Sequence, residues 1–161
     1  MKASHFSLDT QEFLVLLTKY KVKYLIIGGE AVIYYGYARL TGDVDFFYDS
    51  SNQNADNLYG VLEEFWGGNI PEVNSAEELR EDGLILQFGV PPNKIDLYNK
   101  IVKVSFSEAW ENRKKEIVLI RDKKYPVYYI GLKELIKNKE ALKRNRDLED
   151  LKYLKRLRKA K

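Results

Sequence analysis

The stretch Tyr24–Tyr48, which reads YLIIGGEAVIYYGYARLTGDVDFFY, decides the fold of this chain. It opens with a short apolar run that ends at Gly28 and Gly29, and it closes with Asp43 and Asp45 in alternation with apolar residues. Such alternation is typical of a β-strand with one face in the core, so both aspartates should project from the same face. A glycine pair is typical of a tight turn between a strand and a helix. The stretch therefore predicts the order strand, glycine turn, helix, strand.

A third aspartate, Asp96, lies between two branched apolar residues in another predicted strand, Lys94–Tyr98. Neighbouring strands are about 4.8 Å apart, so three carboxylates would meet if this strand lay beside that of Asp43 and Asp45. Carboxylate oxygens suit Mg²⁺, and acidic sites with one or two such ions serve phosphoryl and nucleotidyl transfer. The structural alternative is that each aspartate lies on the solvent face of an amphipathic strand.

The rest of the chain favours one α/β domain, because its 161 residues contain no repeat and no linker. We predict a short mixed sheet flanked by helices over residues 1–130 and basic C-terminal helices over residues 131–161. Helices are predicted near residues 9–20, 29–35, 52–65, 107–113, 132–143 and 147–158. Hairpins are predicted over residues 84–98 and 117–130, the second with a loop at 121–125.

Composition excludes several classes of protein. The chain has no cysteine and one histidine, His5, which leaves no disulfide framework and little material for a histidine-based site. No run approaches the roughly 20 apolar residues of a membrane span, and the N-terminus has no signal-peptide apolar region. We therefore expect a cytoplasmic protein without a membrane partner.

Positive charge is concentrated at the C-terminus. The net charge is +3, but residues 133–161 contain twelve Lys or Arg and only five Asp or Glu. A basic segment beside a carboxylate site favours polyanions such as nucleotides or RNA. The predicted phosphate contacts are Lys152, Lys155, Arg156, Arg158 and Lys159. A solvated helix face is the alternative for the same residues.

These motifs carry a family resemblance. The glycine pair, the Asp43-Val44-Asp45-Phe46 strand and the later Asp96 resemble the signature of the polymerase-beta-like nucleotidyltransferase superfamily. Within it, the string GGEAVIYYGYARLTGDVDFFYD resembles the minimal nucleotidyltransferases of bacteria and archaea, including toxins of toxin–antitoxin and abortive-infection systems. The resemblance spans about residues 22–155, since residues 131–151 are similar to that family's closing helices.

The resemblance implies a polymerase-beta-like fold and a role for each motif residue. Asp43, Asp45 and Asp96 would bind Mg²⁺, or Mn²⁺, and Asp96 would also activate the acceptor. The predicted nucleotide-binding residues are Gly28 and Gly29 at the phosphates, Lys139 at the triphosphate, and Arg39 and Thr41 in the loop before the aspartate strand.

The implied reaction is transfer of a nucleoside monophosphate from an NTP such as ATP to a hydroxyl. An RNA 3′ end, especially of tRNA, is the favoured acceptor, and a protein side chain or a small molecule is an alternative. An antitoxin-like protein is an expected partner if the chain belongs to a two-component system. The competing hypothesis is a non-catalytic module that senses nucleotide or binds a partner. Glu30 favours it, because an acid beside the glycines would repel a triphosphate if it faced one.

Overall fold

The computed structural model describes residues 5–160. Its helices are α1 (Leu8–Lys19), α2 (Gly28–Tyr34), α3 (Asn52–Phe65), α4 (Phe106–Glu111), α5 (Leu132–Leu142) and α6 (Asn145–Ala160), with a 3₁₀ helix at Ala76–Arg80. Its strands are β1 (Tyr24–Ile27), β2 (Asp43–Tyr48), β3 (Ile85–Phe88), β4 (Lys94–Tyr98), β5 (Lys114–Ile120) and β6 (Lys123–Tyr129). The predicted mixed α/β architecture with flanking helices is confirmed.

The six strands form one mixed sheet in the order β3-β4-β2-β1-β6-β5. Strand β2 is antiparallel to β1 and parallel to β4, so the ends of β2 and β4 that begin with Asp43 and Lys94 lie at the same edge. The β1–β2 pair is the strand–turn–helix–strand unit predicted from Tyr24–Tyr48. Parallel pairing with β4 requires the long connection through α3 and β3.

Each face of the sheet has its own hydrophobic core. The first contains Phe13 of α1, Leu58 of α3 and Phe46 of β2. The second contains Phe47 of β2 together with residues of α2, α4, α5 and α6, among them Leu135 and Leu154. The C-terminal helices therefore pack directly on the sheet. Because side chains alternate along a strand, Asp43 and Asp45 share this second face with Phe47.

Several predicted boundaries differ from the structure. The β5–β6 hairpin turns over two residues, Arg121 and Asp122, with φ of 51° and 65°, and not over the loop predicted at 121–125. Positive φ at both positions gives a tight turn that matches the twist of the strands, which lets both strands extend. Helix α5 ends at Leu142, one residue before the predicted end, because its C-cap Lys143 has a left-handed φ of 55°. Helix α6 begins two residues before the predicted start.

No helix within residues 5–160 is both long and apolar enough to cross a lipid bilayer.

Candidate active site

Three carboxylates converge where β2 and β4 lie side by side. The parallel register places Asp45 opposite Asp96 and Asp43 opposite Lys94. One carboxylate oxygen of each of Asp43, Asp45 and Asp96 lies within 4.8 Å of the others. The apolar residues between them, such as Val44 and Ile95, face the opposite core. The predicted convergence of the three aspartates is thus confirmed.

Burial and mutual repulsion raise the pKa values of two of these acids, Asp45 and Asp96. Burial, then the charges of Asp43 and Asp96, raise the pKa of Asp45 to about 7. Burial also raises the pKa of Asp96, against the opposing effect of a hydrogen bond from Lys94. Both shifts arise because ionised carboxylates in a partly desolvated cluster destabilise one another. The centre therefore favours the approach of a cation.

A lysine that sequence reasoning missed supplies part of that positive charge. The Lys94 ammonium lies 3.2 Å from Asp96 Oδ2 and 3.8 Å from Asp43 Oδ2. The Asp96 carboxylate raises the pKa of Lys94, so the ammonium stays charged. The signal was present in the sequence, because Lys94 precedes Asp96 by two residues on a strand and must share its face.

The glycine turn lies against the acids. Gly28 has φ of +65°, and a Cβ at this position would collide with the carboxylate of Asp45. A Cβ at Gly29 would lie 2.9 Å from Thr41 Oγ1 and 3.0 Å from Arg39 Nη2. The left-handed backbone at Gly28 favours glycine there, and at both positions a side chain would force a neighbouring side chain to shift, which is a different reason from the phosphate contact predicted above. That phosphate contact stays a prediction.

The loop between α2 and β2 orients the first acid. Thr41 Oγ1 donates to Asp43, with Oδ1 and the backbone oxygen each at 3.2 Å. Arg39 in the same loop forms an ion pair with Asp150 of α6, Nε to Oδ1 at 3.0 Å. The loop is thus bound to β2 at one end and to α6 at the other.

Lys139 is enclosed by carboxylates. Its ammonium lies 3.0 Å from Asp147 Oδ1 and 3.0 Å from Asp150 Oδ2, and its side chain is only 3% exposed. Burial would raise the pKa of Asp147, but hydrogen bonds from Arg144 and Lys139 lower it to about 2. Lys139 lines the cleft as predicted, but its charge is balanced within the protein. Its contact with a triphosphate stays a prediction.

The acids form the floor of a cleft of about 790 Å³. This volume is in the range of small-molecule sites. Another wall of the cleft, at the junction of α5 and α6, contains the exposed cations Arg144 and Arg146. Further lining groups are Gln87, Tyr98, Lys100 and Asn138, with the predicted Gly28, Gly29, Arg39, Thr41 and Lys139. The cleft therefore combines an anionic floor with a cationic wall.

Glu30 lines a second cavity and not the acidic cleft. It is buried, and its Oε2 lies 2.6 Å from His5 Nε2. The pair lines this second cavity of about 230 Å³, which also reaches Asp43 and Thr41. Burial raises the pKa of Glu30, and His5 opposes that shift. The effect of Glu30 on nucleotide binding stays a prediction.

The basic residues of α6 divide into two groups. Lys155 Nζ lies 3.2 Å from Glu140 Oε2 of α5, so part of its charge is balanced. Lys152, Arg156, Arg158 and Lys159 are exposed. The exposed group keeps its predicted capacity for phosphate contacts.

The donor set fits a divalent cation. Among residues 5–160, Asp45 Oδ1 and Asp96 Oδ1 are buried oxygens without a hydrogen-bond partner. Buried carboxylate oxygens of this kind are costly unless a donor or a cation satisfies them. Three carboxylates are also the ligands that hard ions such as Mg²⁺ prefer. The residues present therefore suit the predicted ion.

Comparisons with known proteins gave no match, either to a protein-family model or, at a significant level, to a curated protein.

Removal of the buried lysine should destabilise the fold. Lys139→Met leaves Asp147 and Asp150 without their shared counter-ion, and breaking a buried ion pair in this way costs about 3–5 kcal/mol. Lys137→Met on the same helix breaks only the half-exposed pair with Glu108 and should cost at most about 1 kcal/mol. Urea unfolding of both variants checks the difference. Equal stability of the two would contradict a structural role for Lys139.

The raised pKa of Asp45 makes stability depend on pH. The carboxyl ionises near 3.8 in the unfolded chain and near about 7 in the folded protein. Between these values the folded state binds more protons, so stability falls as the pH rises and stays lower above about 7. Asp45→Asn removes this loss, so in chelator it should raise the melting temperature more at pH 8 than at pH 5.

The control for this experiment is Asp56→Asn, which changes an exposed carboxylate on α3. It should have a similar, small effect at both pH values. A gain from Asp45→Asn that is the same at pH 5 and pH 8 would show that Asp45 is ionised throughout.

Proposed function

We propose that this protein is a metal-dependent nucleotidyltransferase that moves a nucleoside monophosphate from an NTP to a hydroxyl acceptor. The observation that carries the proposal is the convergence of Asp43, Asp45 and Asp96 at the floor of the cleft, with two buried oxygens unsatisfied within the described part of the chain. The order of strand, glycine turn and aspartate strand adds the resemblance to polymerase-beta-like nucleotidyltransferases. The mixed sheet is compatible with that fold.

In the proposed reaction, the acceptor oxygen forms a bond to the α-phosphorus while the bond from that phosphorus to the β-bridging oxygen breaks. Pyrophosphate leaves, and the carboxylate of Asp96 takes the proton of the hydroxyl. The aspartate cluster would hold Mg²⁺, whose chemistry in such a site is neutralisation of charge on the transferring phosphate. Thr41 keeps Asp43 oriented through its hydrogen bond to Oδ1.

The triphosphate is better served by the arginines of the cleft than by Lys139. Lys139 is 3% exposed and already bound by two carboxylates. Arg144 and Arg146 are exposed at the α5–α6 junction and line the same cleft as the acids. Arg144 also forms an ion pair with Asp147, which Lys139 contacts as well; Arg144 Nε lies 2.6 Å from Asp147 Oδ2. Arginine presents several N–H donors that match phosphate oxygens.

A non-catalytic module on the same fold is the competing function, and Lys94 is the observation that favours it. An ammonium beside Asp96 offsets part of the negative charge of the acidic centre without any metal ion. Such a centre could bind a nucleotide or a protein partner, an antitoxin-like one included, and transfer nothing.

Transfer of label from an NTP labelled at the α-phosphate separates these functions. With Mg²⁺ and an RNA acceptor, the wild type should incorporate label, and chelation should abolish it. Asp45→Asn should reduce transfer by at least about a hundredfold. It removes a proposed metal ligand, whereas loss of a residue that only hydrogen-bonds to a ligand typically costs about 10–100-fold. Asp82→Asn, an exposed acid paired with Lys100, should retain activity. Transfer that survives excess chelator would contradict the proposal.

RNA binding through α6 should depend on salt. Arg156 and Lys159 are exposed, so changing both to Ala should weaken RNA binding and flatten the plot of log affinity against log salt by about 0.7 per lost phosphate contact. Lys155→Ala should have a smaller effect, because Glu140 already pairs with that ammonium. Unchanged RNA affinity in the double variant would leave this part of α6 as a solvated surface.

A further inference from the structure

The oxygens of the three carboxylates are not equally available. Asp43 Oδ1 accepts a hydrogen bond from Thr41, and Asp43 Oδ2 faces the Lys94 ammonium at 3.8 Å. Asp96 Oδ2 faces the same ammonium at 3.2 Å. Lys94 therefore bridges the first acid of β2 and the acid of β4, as a second cation would in a two-ion centre.

The oxygens left over belong to the other pair of acids. Asp45 Oδ1 and Asp96 Oδ1 are both buried and have no hydrogen-bond partner in the range 5–160. Their residues lie directly opposite each other in the parallel β2–β4 register. These unsatisfied oxygens are available to a cation, and they are different atoms from the Oδ2 oxygens of Asp43 and Asp96 that face Lys94.

Charge balance also favours a single divalent ion. Three ionised carboxylates carry three negative charges, and Lys94 contributes one positive charge. One divalent ion brings the centre to neutrality, whereas a second would leave it with an excess of two positive charges. A second ion would also need the Oδ2 atoms that face Lys94. Like charges in a partly desolvated site disfavour each other strongly.

We propose that Lys94 permanently fills one of the two cation positions of this centre, so that the protein takes up a single divalent ion, bound by Asp45 and Asp96. The inference rests on the proposed function for the presence of a divalent ion at all. It goes further in assigning to a side chain the place of the second ion. Lys94 would then face the phosphates as a fixed positive charge that does not leave with pyrophosphate.

The matched control is Lys100, which lines the same cleft but pairs with Asp82, an exposed residue. Lys94→Met and Lys100→Met remove the same charge and leave similar volumes, but only the first opens the Oδ2 atoms of Asp43 and Asp96. Lys94→Arg keeps the charge near the acids.

The experiment counts Mn²⁺ bound to the full chain by calorimetry and by electron paramagnetic resonance, with no nucleotide present. The wild type, Lys100→Met and Lys94→Arg should each bind one ion per chain and give the spectrum of isolated Mn²⁺. Lys94→Met should bind two ions and give a spin-coupled spectrum, because ions in a two-metal site lie about 3.5–4 Å apart. Melting curves establish that each variant is folded, and Lys94→Gln replaces Lys94→Met if that variant does not fold.

Three outcomes overturn the inference, and they differ in whether the proposed metal centre survives. Two coupled ions in the wild type, or one ion in both wild type and the neutral Lys94 variant, would refute the role of Lys94 and leave the metal centre of the proposed function intact. No ion in the wild type, together with the same result for Asp45→Asn, would remove the metal centre itself.

Discussion

The pairing of β2 with β4 is the constraint on which the rest of this structure depends. Parallel register places Asp45 opposite Asp96, and the alternation of each strand directs both side chains and Asp43 to one face. Three carboxylates in so small a space repel one another and lose hydration. Each neighbouring element contributes something that makes this arrangement tolerable: a glycine without a side chain beside Asp45, a hydroxyl on Asp43 and an ammonium on Asp96.

Much of this arrangement was predictable from local pattern. The alternation at Asp43-Val44-Asp45 was sufficient to predict the strand and the shared face of its acids, because the geometry of a strand admits no other placement. The adjacency of Asp96 was a hypothesis, since strand order depends on contacts far apart in the chain. Whether the sheet belongs to the polymerase-beta-like fold is a matter of the resemblance and stays a proposal.

The contacts that sequence reasoning did not predict join residues that lie far apart in the chain or in different helices. Glu30 is paired with His5, 25 positions away, through the packing of the segment before α1 on α2. Lys139 meets Asp147 and Asp150 only because α5 ends before a left-handed Lys143 and α6 folds back beside it. A lysine on a helix face normally points to solvent, so its sequence alone gives no sign of burial.

The buried ion pairs on the cleft wall are better explained by the elements that they join than by a contribution to folding stability. The free-energy cost of desolvating two charges offsets most of the gain from their attraction, so a buried pair contributes little net folding energy. Here the pairs join particular elements: Arg39 connects the loop before β2 to Asp150, and Lys139 connects Asp150 and Asp147 to α5. The same loop holds Asp43 through Thr41. A shift of α6 would therefore move the loop that orients the first acid, which couples the cationic wall of the cleft to its anionic floor.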